Sequence, residues 1–295
     1  MSAPKKMKSS VVAVVNGLPG NMGKEIAQAC LRRGLEVADV ALTGANMPKD
    51  VTVEKDDGGS VTVNLVGPGS EAETQLKEAL EKGRSEGKIV VAIDFTHPSA
   101  VNRNAELYVK LGLPFVMGTT GGDREALQKV VADNGLFALI APNMCKQIVA
   151  FQAMMDTMAS TYPGAFGGYG LEITESHQSG KADTSGTAKA MVEYLNKLKG
   201  GDPFDVEDIK KLRESEAQQA FGVPAEALEG HAWHTYTLKS GDGSVVFEFK
   251  HNVCGRRTYA EGVVDAVNFL AARINEGADK KLYDMIDVLK AGEMQ

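Results

Sequence analysis

The stretch that decides the fold is Val11-Val12-Ala13-Val14-Val15-Asn16-Gly17-Leu18-Pro19-Gly20-Asn21-Met22-Gly23. Its first five residues are apolar and mostly β-branched, which is typical of a strand buried on both faces of a parallel sheet. The glycine-rich turn follows at once, and the next segment has one apolar face and ends at Gly34, as a helix would. A strand, a glycine turn and a helix in this order let the backbone approach a pyrophosphate at the helix N-terminus.

The spacing of the turn separates the possible nucleotide-binding motifs. Its glycines are spaced G-x-x-G-x-x-G, because Pro19 stands where the strict G-x-G-x-x-G motif has its second glycine. A P-loop is excluded, since Leu18 and Glu25 occupy the positions of its first glycine and of its Ser or Thr. Nucleotide binding and a plain β-turn-α unit remain the two interpretations of the turn alone.

The rest of the N-terminal half repeats the alternation of short apolar and amphipathic segments. Buried strands that alternate with helices form parallel sheets, because each crossover helix packs back onto the sheet. The sequence therefore predicts an α/β fold, a Rossmann-like doubly wound parallel sheet, with residues 50–60 as a loop. The later predicted strands are 36–42, 61–66, 88–95, 113–117 and 136–140, and the helices are 71–84, 99–111 and 124–134.

The pattern changes after residue 144, where a Met-rich helix is followed by alternating strands and a charged stretch. We predict a second, α+β domain over 145–255, with 1–144 and 256–295 forming the dinucleotide-binding domain. The C-terminal tail holds no further predicted strand, and it should pack back on the first domain. The predicted elements are a helix over 148–162, a strand over 171–177, a partly helical stretch over 203–219, strands over 231–238 and 244–251, and helices over 260–276 and 281–290.

Composition excludes some partners. The formal net charge is -7 and the pI about 5.4, so bulk attraction to nucleic acid or to an anionic membrane is not expected. The three scattered cysteines indicate a reducing compartment, and no apolar run reaches membrane length. Residues 1–10 are polar and basic and are predicted to be disordered. We expect a cytoplasmic protein, or a protein of the plastid stroma if a transit peptide has been removed, that acts on a small molecule.

The chemistry is concentrated between Glu175 and Ala188. His177 and Lys181 lie four residues apart, and Ser185-Gly186-Thr187 opens a predicted helix over 188–198. A histidine titrates near neutral pH and suits a general acid, while a lysine and a helix N-terminus suit an anion. Three plainer interpretations remain: a structural histidine, a solvated lysine and a simple helix cap.

The other histidines carry weaker signals. His231 and His234 form an H-x-x-H pair, but residues three apart on a strand point to opposite faces, so we expect no metal site. His251 shares a strand face with Phe249 and is predicted to be structural. His97 follows a strand end beside the expected coenzyme edge, and both a structural and a binding role remain open.

The end of the second predicted strand bears on the coenzyme. NAD-selective folds usually place Asp or Glu there to hold the ribose hydroxyls. This chain has Thr43-Gly44-Ala45-Asn46 instead, with Lys49 beyond. A 2'-phosphate would therefore meet no repelling carboxylate, so NADPH is the favoured coenzyme, and NADH held without this carboxylate remains possible.

Together these motifs resemble the 4-hydroxy-tetrahydrodipicolinate reductase (dihydrodipicolinate reductase) family of lysine biosynthesis. The matching segments are the glycine turn, Asp94-Phe95-Thr96, Gly118-Thr119-Thr120-Gly121, Ala141-Pro142-Asn143, Glu175 to Ala188, and His251 to Gly262. The plant-type branch is more similar than the common bacterial one, because Lys146-Gln147 differ from the bacterial loop. Gln178 stands where many bacterial members have a second histidine, and Thr184 stands where a proline is usual.

The resemblance implies roles for individual residues. His177 matches the catalytic acid and Lys181 the second catalytic residue of the family. Residues that match substrate contacts are Thr120, Ser185, Gly186 and Thr187. Residues at coenzyme positions are Gly17, Gly20, Asn21, Met22, Gly23, Thr43, Thr96, Gly118, Thr120, Asn143 and Arg256. It also implies a substrate-binding and dimerisation role for the second domain, with a dimer favoured over a tetramer.

The resemblance implies NAD(P)H-dependent reduction of 4-hydroxy-tetrahydrodipicolinate to tetrahydrodipicolinate in the diaminopimelate route to lysine. Two alternatives stay open on the residues alone. One is another two-domain NAD(P)-dependent reductase of a small carboxylic acid. The other is a non-catalytic dinucleotide-binding regulator, which would bind NAD(P)H without consuming it.

Overall fold

The computed structural model describes residues 10–55 and 57–292. The chain enters a second compact unit after Cys145 and returns to the first after Thr258. The sequence predicts these two changes after residues 144 and 255. The disorder expected over residues 1–10 concerns residues outside the described ranges, apart from Ser10.

Strands and helices alternate along most of the first unit, and the numbering of the elements continues through the second unit. The strands are β1 Val11–Asn16, β2 Glu36–Val37, β3 Val40–Leu42, β4 Asp50–Glu54, β5 Ser60–Val66, β6 Ile89–Asp94, β7 Phe115–Met117, β8 Ala138–Ile140, β9 Gly170–His177, β10 Lys210–Leu212, β11 His231–Lys239, β12 Val246–Cys254 and β13 Leu282–Tyr283. The α-helices are α1 Asn21–Arg32, α2 Ser70–Ser85, α3 Val101–Leu111, α4 Arg124–Asn134, α5 Lys146–Thr161, α6 Gly186–Lys199, α7 Ser215–Ala220, α8 Arg257–Glu276 and α9 Met285–Ala291. Among residues 10–55 and 57–292, none of the helices combines the length and the apolar character needed to cross a membrane.

The main sheet of the first unit has the strand order β13-β8-β7-β6-β1-β2, and every pair in it is parallel. Its central strands are buried on both faces, as the fully buried side chains of Ala13, Val14 and Val91 illustrate. This confirms the predicted Rossmann-like parallel sheet, whose apolar runs have the composition that two covered faces require. The carboxyl ends of β1, β6 and β7 consequently lie side by side at one edge.

The prediction of one strand over 36–42 is wrong. Glu36 and Val37 pair with β1, whereas Val40–Leu42 pairs in parallel with β5 in a separate three-stranded sheet. Asp39 separates the two pieces, and its carboxylate is 60% exposed and paired with Lys82. A strand buried on both faces has no place for such a solvated side chain, so the chain changes sheets there.

The prediction of a loop over 50–60 is also wrong. Asp50–Glu54 forms β4, which pairs antiparallel with β5 at the edge of the small sheet. Val53 is buried between the exposed Thr52 and Glu54, which is the alternation of a half-buried strand. The charged and glycine residues around this short segment conceal that period.

The C-terminal tail joins the first unit through a strand as well as a helix. Leu282–Tyr283 forms β13 and pairs with β8, so the prediction of a helix from residue 281 is wrong at its start. Asp284 then caps α9 by accepting hydrogen bonds from the backbone N–H groups of Ile286 and Asp287. Two residues are too few to show a strand period in the sequence.

The second unit is built on a four-stranded sheet of order β10-β9-β11-β12. β11 pairs antiparallel with both β9 and β12, which confirms the predicted antiparallel pair, while β10 was not predicted as a strand. Leu171 and Ile173 on one face of β9 join the apolar core with residues of α5 and α6. Because side chains alternate along a strand, Glu175 and His177 point to that same face.

Candidate active site

The glycine turn connects β1 to α1 through backbone that leaves no room for side chains. Gly17 has φ of +103°, and a Cβ at this position would collide with the carbonyl oxygen of Phe95. A Cβ on Gly20 would lie 2.8 Å from the Gly17 oxygen, and one on Gly23 would lie 3.0 Å from the Gly17 carbonyl carbon. The three glycines therefore allow the turn to pack closely against the start of α1. Because they carry no side chains, the backbone of the turn can be approached by a ligand.

A cavity of about 920 Å³ lies in the first unit beside this turn. This volume is typical of small-molecule and cofactor sites. Among the residues predicted to hold a coenzyme, Gly17, Gly20, Thr43 and Thr96 line the cavity. The predicted coenzyme residues outside its lining are Asn21, Met22, Gly23, Gly118, Thr120, Asn143 and Arg256.

The buried carboxylate of Asp94 organises the edge of the sheet next to this cavity. Its Oδ1 accepts hydrogen bonds from the Thr96 hydroxyl at 2.8 Å and from the Thr119 hydroxyl at 2.9 Å. Its Oδ2 accepts from Asn104 Nδ2 at 2.9 Å and from the Tyr108 hydroxyl at 2.7 Å. Asp94 is fully buried, so these donors replace the water that a carboxylate would otherwise need.

The same network reaches the glycine turn through Asn16, which is also fully buried. Asn16 Nδ2 donates to the Tyr108 oxygen at 2.7 Å, and its Oδ1 accepts from the backbone N–H of Leu42 at 2.7 Å. Burial, followed by the charge and hydrogen bond of Asp94, raises the pKa of Tyr108 well above its ordinary value. Tyr108 therefore stays a neutral donor that links β1 to β6.

Two predicted coenzyme residues have structural contacts in the free protein. Thr43 donates its hydroxyl hydrogen to the backbone oxygen of Leu18 at 2.6 Å and so holds the glycine turn. Asn143 Oδ1 accepts from the backbone N–H of Cys145 at 2.8 Å. At Gly118 a Cβ would collide with the ring of Phe95, so this glycine is required by packing.

Thr120 and Arg256 are placed differently from these residues. Thr120 is exposed, and its neighbour Thr119 is the threonine that turns inward to Asp94. Arg256 belongs to the second unit, and its guanidinium lies beside the backbone of Gly230. The coenzyme and substrate roles of both residues stay predictions.

In the second unit, His177 ends β9 with 7% of its surface exposed. Its Nε2 lies 3.1 Å from Nε2 of His234, with the two rings nearly perpendicular. Burial, followed by the charges of Arg213 and Lys181, lowers the pKa of His177 to about 3. The ring is therefore neutral near pH 7 in the free protein, and a bound anion would favour its protonation.

Lys181 lies on the turn after β9, where its Nζ forms an ion pair with Asp183 Oδ1 at 2.7 Å. The hydrogen bond from Lys181 lowers the pKa of Asp183. The carboxylate of Asp183 is 74% exposed, so this pair is open to solvent. An exposed pair is weak, and a ligand carboxylate can exchange with Asp183 for the lysine.

The start of α6 forms the third part of the predicted substrate site. The backbone N–H of Ser185 donates to Glu175 Oε2 at 3.1 Å, while the Ser185 side chain makes no capping hydrogen bond. A Cβ on Gly186 would meet no other atom within 4 Å, so the space beside this glycine is open. Thr187 follows in the first turn of the helix. An anion could thus approach the first turn of α6.

Arg213 fixes the turn that carries Lys181. Its Nε donates to the Lys181 backbone oxygen at 2.6 Å, and one terminal nitrogen donates to Glu175 Oε1 at 2.5 Å. The same nitrogen also lies 3.4 Å from the Asp183 backbone oxygen. Sequence reasoning missed Arg213, because it lies in the charged, partly helical stretch 203–219, where nothing in the pattern singles out one cation. The one feature that could have indicated such a residue is Glu175, because a carboxylate that is buried in a strand needs a cationic or hydrogen-bonding partner.

Gln178 and Thr184 depart from the usual family pattern, and the structure gives a contact for each. The backbone oxygen of Gln178 accepts from the backbone N–H of Lys181 and closes the turn. The buried hydroxyl of Thr184 accepts from Lys211 Nζ at 3.2 Å. The substitution at Thr184 therefore adds a contact to β10 instead of breaking the loop.

The structure brings together three groups of the kind that bind metals. Glu175, His177 and His234 each offer a ligand atom, and these atoms lie within 4.8 Å of one another. His231 is not among them, because it points to the other face and bonds Ser176, as the strand period predicts. The Arg213 guanidinium is bonded to Glu175. Burial is the main cause of the lowered pKa values of His177 and His234, and the charge of Arg213 lowers both further. A resident cation next to the guanidinium would be repelled, so the cluster fits proton chemistry better than a metal.

A parallel sheet with a glycine turn and an edge cavity defines a dinucleotide-binding protein of the Rossmann-like class. Two family models match the chain, "Dihydrodipicolinate reductase, N-terminus" over residues 11–144 and "Dihydrodipicolinate reductase, C-terminus" over residues 147–289. The chain belongs to the dihydrodipicolinate reductase family.

Plant relatives match nearly the whole chain. A protein of Oryza sativa subsp. japonica, "Probable 4-hydroxy-tetrahydrodipicolinate reductase 2, chloroplastic", is 49% identical over 96% of this chain and 84% of its own length. The "4-hydroxy-tetrahydrodipicolinate reductase 2, chloroplastic" of Arabidopsis thaliana is 46% identical over 97% of this chain and 79% of its own. The solved dipicolinate-bound dihydrodipicolinate reductase from Paenisporosarcina sp. TG-14 shares the fold, with a TM-score of 0.61, 19% identity, and coverage of 94% of this chain and 98% of that one.

The Asp94 network leads to a first prediction. Replacing Asp94 by Ala leaves the buried donors of Asn104 and Tyr108 without their acceptor, so the free energy of unfolding should fall by about 3–5 kcal/mol in urea denaturation. The control Asp39→Ala removes a carboxylate that is 60% exposed and should change stability by less than about 1 kcal/mol. Equal losses in the two variants would contradict the role of Asp94.

The low pKa of His177 gives a second prediction. A ring with a folded-state pKa of about 3 and an ordinary value of 6.5 binds its proton more readily in the unfolded chain. Its contribution to stability is therefore complete above about pH 6.5 and is lost as the pH falls towards 3. Between pH 7 and 5 the wild type should lose about 2 kcal/mol relative to His177→Phe. If the free energy of unfolding changes equally in the wild type and in His177→Phe between pH 7 and 5, a neutral, buried His177 ring is refuted.

Proposed function

We propose that this protein is a 4-hydroxy-tetrahydrodipicolinate reductase that uses NAD(P)H in the diaminopimelate route to lysine. The observation that carries the proposal is the grouping of His177, Lys181 and the open start of α6 after one strand, in a chain of this family. The reaction consumes one hydride and one proton per substrate ring and releases one water. A proton donor and an anion cradle are the parts that the protein must supply.

The substrate is a dianion, and two features of the second unit suit its carboxylates. Lys181 can exchange its exposed partner Asp183 for a substrate carboxylate. Ser185, Gly186 and Thr187 offer the backbone and hydroxyl groups of a helix start. Thr120 of the first unit is proposed as a further substrate contact. Bound anionic charge would raise the pKa of His177 from its low free-state value, so binding itself would prepare the acid.

The first unit fits a dinucleotide. The turn of Gly17, Gly20 and Gly23 lacks the side chains that would fill the cradle, and the 920 Å³ cavity beside it extends to Thr43 and Thr96. When bound, the reduced nicotinamide supplies the hydride. Of the remaining predicted coenzyme residues, those at the helix start and strand ends are Asn21, Met22, Gly118, Thr120 and Asn143, and Arg256 is proposed with them.

We propose NADPH as the preferred coenzyme, with NADH as the possible alternative. Thr43, Gly44 and Ala45 line the cavity after β3, where an NAD-selective protein usually has a carboxylate. Glu73 also lines the cavity, and Lys110 binds its carboxylate at 2.7 Å. Arg103 supplies a positive charge to the same wall.

We further propose a homo-oligomer, with a dimer favoured, that is assembled through the second unit. Apolar side chains at the start of the edge strand β12 are exposed, and they include Val245, Val246 and Phe247. Exposed apolar residues along the open edge of a sheet are typical of association surfaces. The names of the rice and Arabidopsis relatives assign those proteins to chloroplasts, which supports the plastid stroma among the two expected compartments.

Steady-state kinetics with synthase-generated substrate, first with NADPH and then with NADH, test the function. The wild type should consume the coenzyme, and His177→Ala should lower kcat by roughly 10²–10⁴, since general acid catalysis is lost. The control Lys197→Ala changes an exposed pair far along α6 and should retain wild-type kcat. Turnover of simple keto acids alone would indicate a different reductase, and coenzyme binding without consumption would indicate a regulator.

Lys181 and Asp183 should affect the KM for the substrate in opposite directions. Lys181→Ala removes a charge-assisted contact and should raise KM about 10- to 100-fold. Asp183→Ala removes the competitor for that lysine and should lower KM. Initial rates over a range of substrate concentrations measure both effects. An unchanged kcat/KM in Lys181→Ala would contradict a carboxylate clamp.

A further inference from the structure

A continuous chain of polar groups lies behind His177 on one face of the sheet of the second unit. His177 Nε2 is 3.1 Å from His234 Nε2, and His234 Nδ1 is 3.2 Å from the Tyr236 hydroxyl. That hydroxyl lies 3.4 Å from His251 Nε2. The strand register explains the alignment, since His234 lies opposite Glu175 on β9 and opposite His251 on β12.

Packing holds these rings in place. His234 and Tyr236 are 1% and 0% exposed. The His234 and His251 rings stack with centroids 4.7 Å apart and planes 19° apart, and Phe151 of α5 lies edge-on to His251. A ring in such a stack cannot turn freely, so its two nitrogens keep fixed partners.

The number of hydrogens on each ring determines which group donates and which accepts along this series of polar groups. Only one of two facing imidazole nitrogens carries the shared hydrogen. A His177 ring that holds a second proton must donate from Nε2, so His234 accepts there and carries its own hydrogen on Nδ1. Tyr236 then accepts from His234 and donates to His251. Nδ1 of His251 is buried and has no hydrogen-bond partner among the described residues, so the chain ends there.

The groups around the chain are mostly positive or neutral. Burial, then the charges of Arg213, Lys181 and the His231 ring, lower the pKa of His177, and a hydrogen bond to the backbone of His231 raises it. The carboxylate of Glu175 is occupied by Arg213 and by the N–H of Ser185. No described carboxylate therefore bonds directly to the His177 ring, and His234 is its side-chain hydrogen-bond partner.

We propose that His234 is the positioning residue of His177, accepting its Nε2 hydrogen so that Nδ1 gives the proton to the substrate, with Tyr236 and His251 fixing the tautomer of His234. This inference rests on the proposed function. In the step, the Nδ1–H bond breaks and its electron pair stays on the ring, while the substrate gains the proton. The hydride comes from the reduced coenzyme, which is oxidised, and the hydroxyl of the substrate leaves as the one water that the reaction releases, so atoms and electrons balance. His177 then remains neutral with its Nε2 hydrogen still held by His234.

The variant Tyr236→Phe tests the chain because it removes one hydroxyl and keeps the ring. Without that hydroxyl, His234 loses the partner that fixes its tautomer. We expect kcat to fall about 10-fold at pH 7 with KM within about twofold, since a fraction of the acid contribution is lost. The alkaline limb of the kcat profile should move to lower pH, because protonated His177 loses a fixed acceptor.

Matched controls separate this role from general damage. Tyr169→Phe removes a hydroxyl of the same unit, from a ring that packs on Phe166, and should retain the wild-type kcat and pH profile. His251→Gln should move the pH profile in the same direction as Tyr236→Phe, by a smaller amount. Nitrogen NMR of the ligand-free wild type should show His177 with its hydrogen on Nε2, which requires no variant.

Each contrary outcome has its own meaning. If Tyr236→Phe behaves like Tyr169→Phe in an active enzyme, or if NMR shows the hydrogen on Nδ1 alone, the positioning role is refuted and the reductase assignment stands. If the wild type does not reduce the substrate, the proposed function fails, while the NMR result still decides the tautomer. Activity that is lost on dialysis against EDTA and restored by Zn²⁺ would overturn the role in favour of a metal bound by Glu175, His177 and His234.

Discussion

The buried carboxylate of Asp94 is the constraint on which the coenzyme half of this protein depends. A fully buried charge is costly unless donors surround it, and here they come from α3 and from the turns after β6 and β7. Satisfying one carboxylate therefore fixes the relative positions of several strand ends. The Tyr108 hydroxyl extends this control to Asn16 and so to the glycine turn. A cavity edge built this way is rigid without a ligand, which reduces the ordering cost of binding.

The second unit solves a related problem with a different pairing. Glu175 is also fully buried, but its charge is matched by the guanidinium of Arg213, and the backbone N–H of Ser185 is a neutral donor to its other oxygen. The same guanidinium holds the Lys181 turn and adds positive potential near His177. The local field thus favours a neutral histidine in the free protein and an anion as ligand. Burial of His177 and this arrangement of charges together lower its pKa, and the same charges attract an anion.

Sequence patterns predicted the features that depend on local order. The apolar run before Gly17 and the signature after Glu175 identify the sheet and the candidate acid, because period and turn chemistry are local. Partners that are distant in sequence were missed, including Arg213 for Glu175, His234 for His177 and Tyr108 for Asp94. Each is brought into contact only by tertiary packing. A charged residue at the end of an apolar strand is the available signal, since burial there requires a partner.

The short strand β13 has a consequence for how the chain is made. It adds to the sheet edge at β8, yet between the two strands the chain passes through the whole second unit. During synthesis the sheet of the first unit gains this edge strand only after residues 146–258 have left the ribosome. The second unit, which is continuous in sequence, can therefore acquire its own core before the first is complete. Deleting the tail from residue 282 onward would leave β8 with an unpaired edge, a template for association between chains.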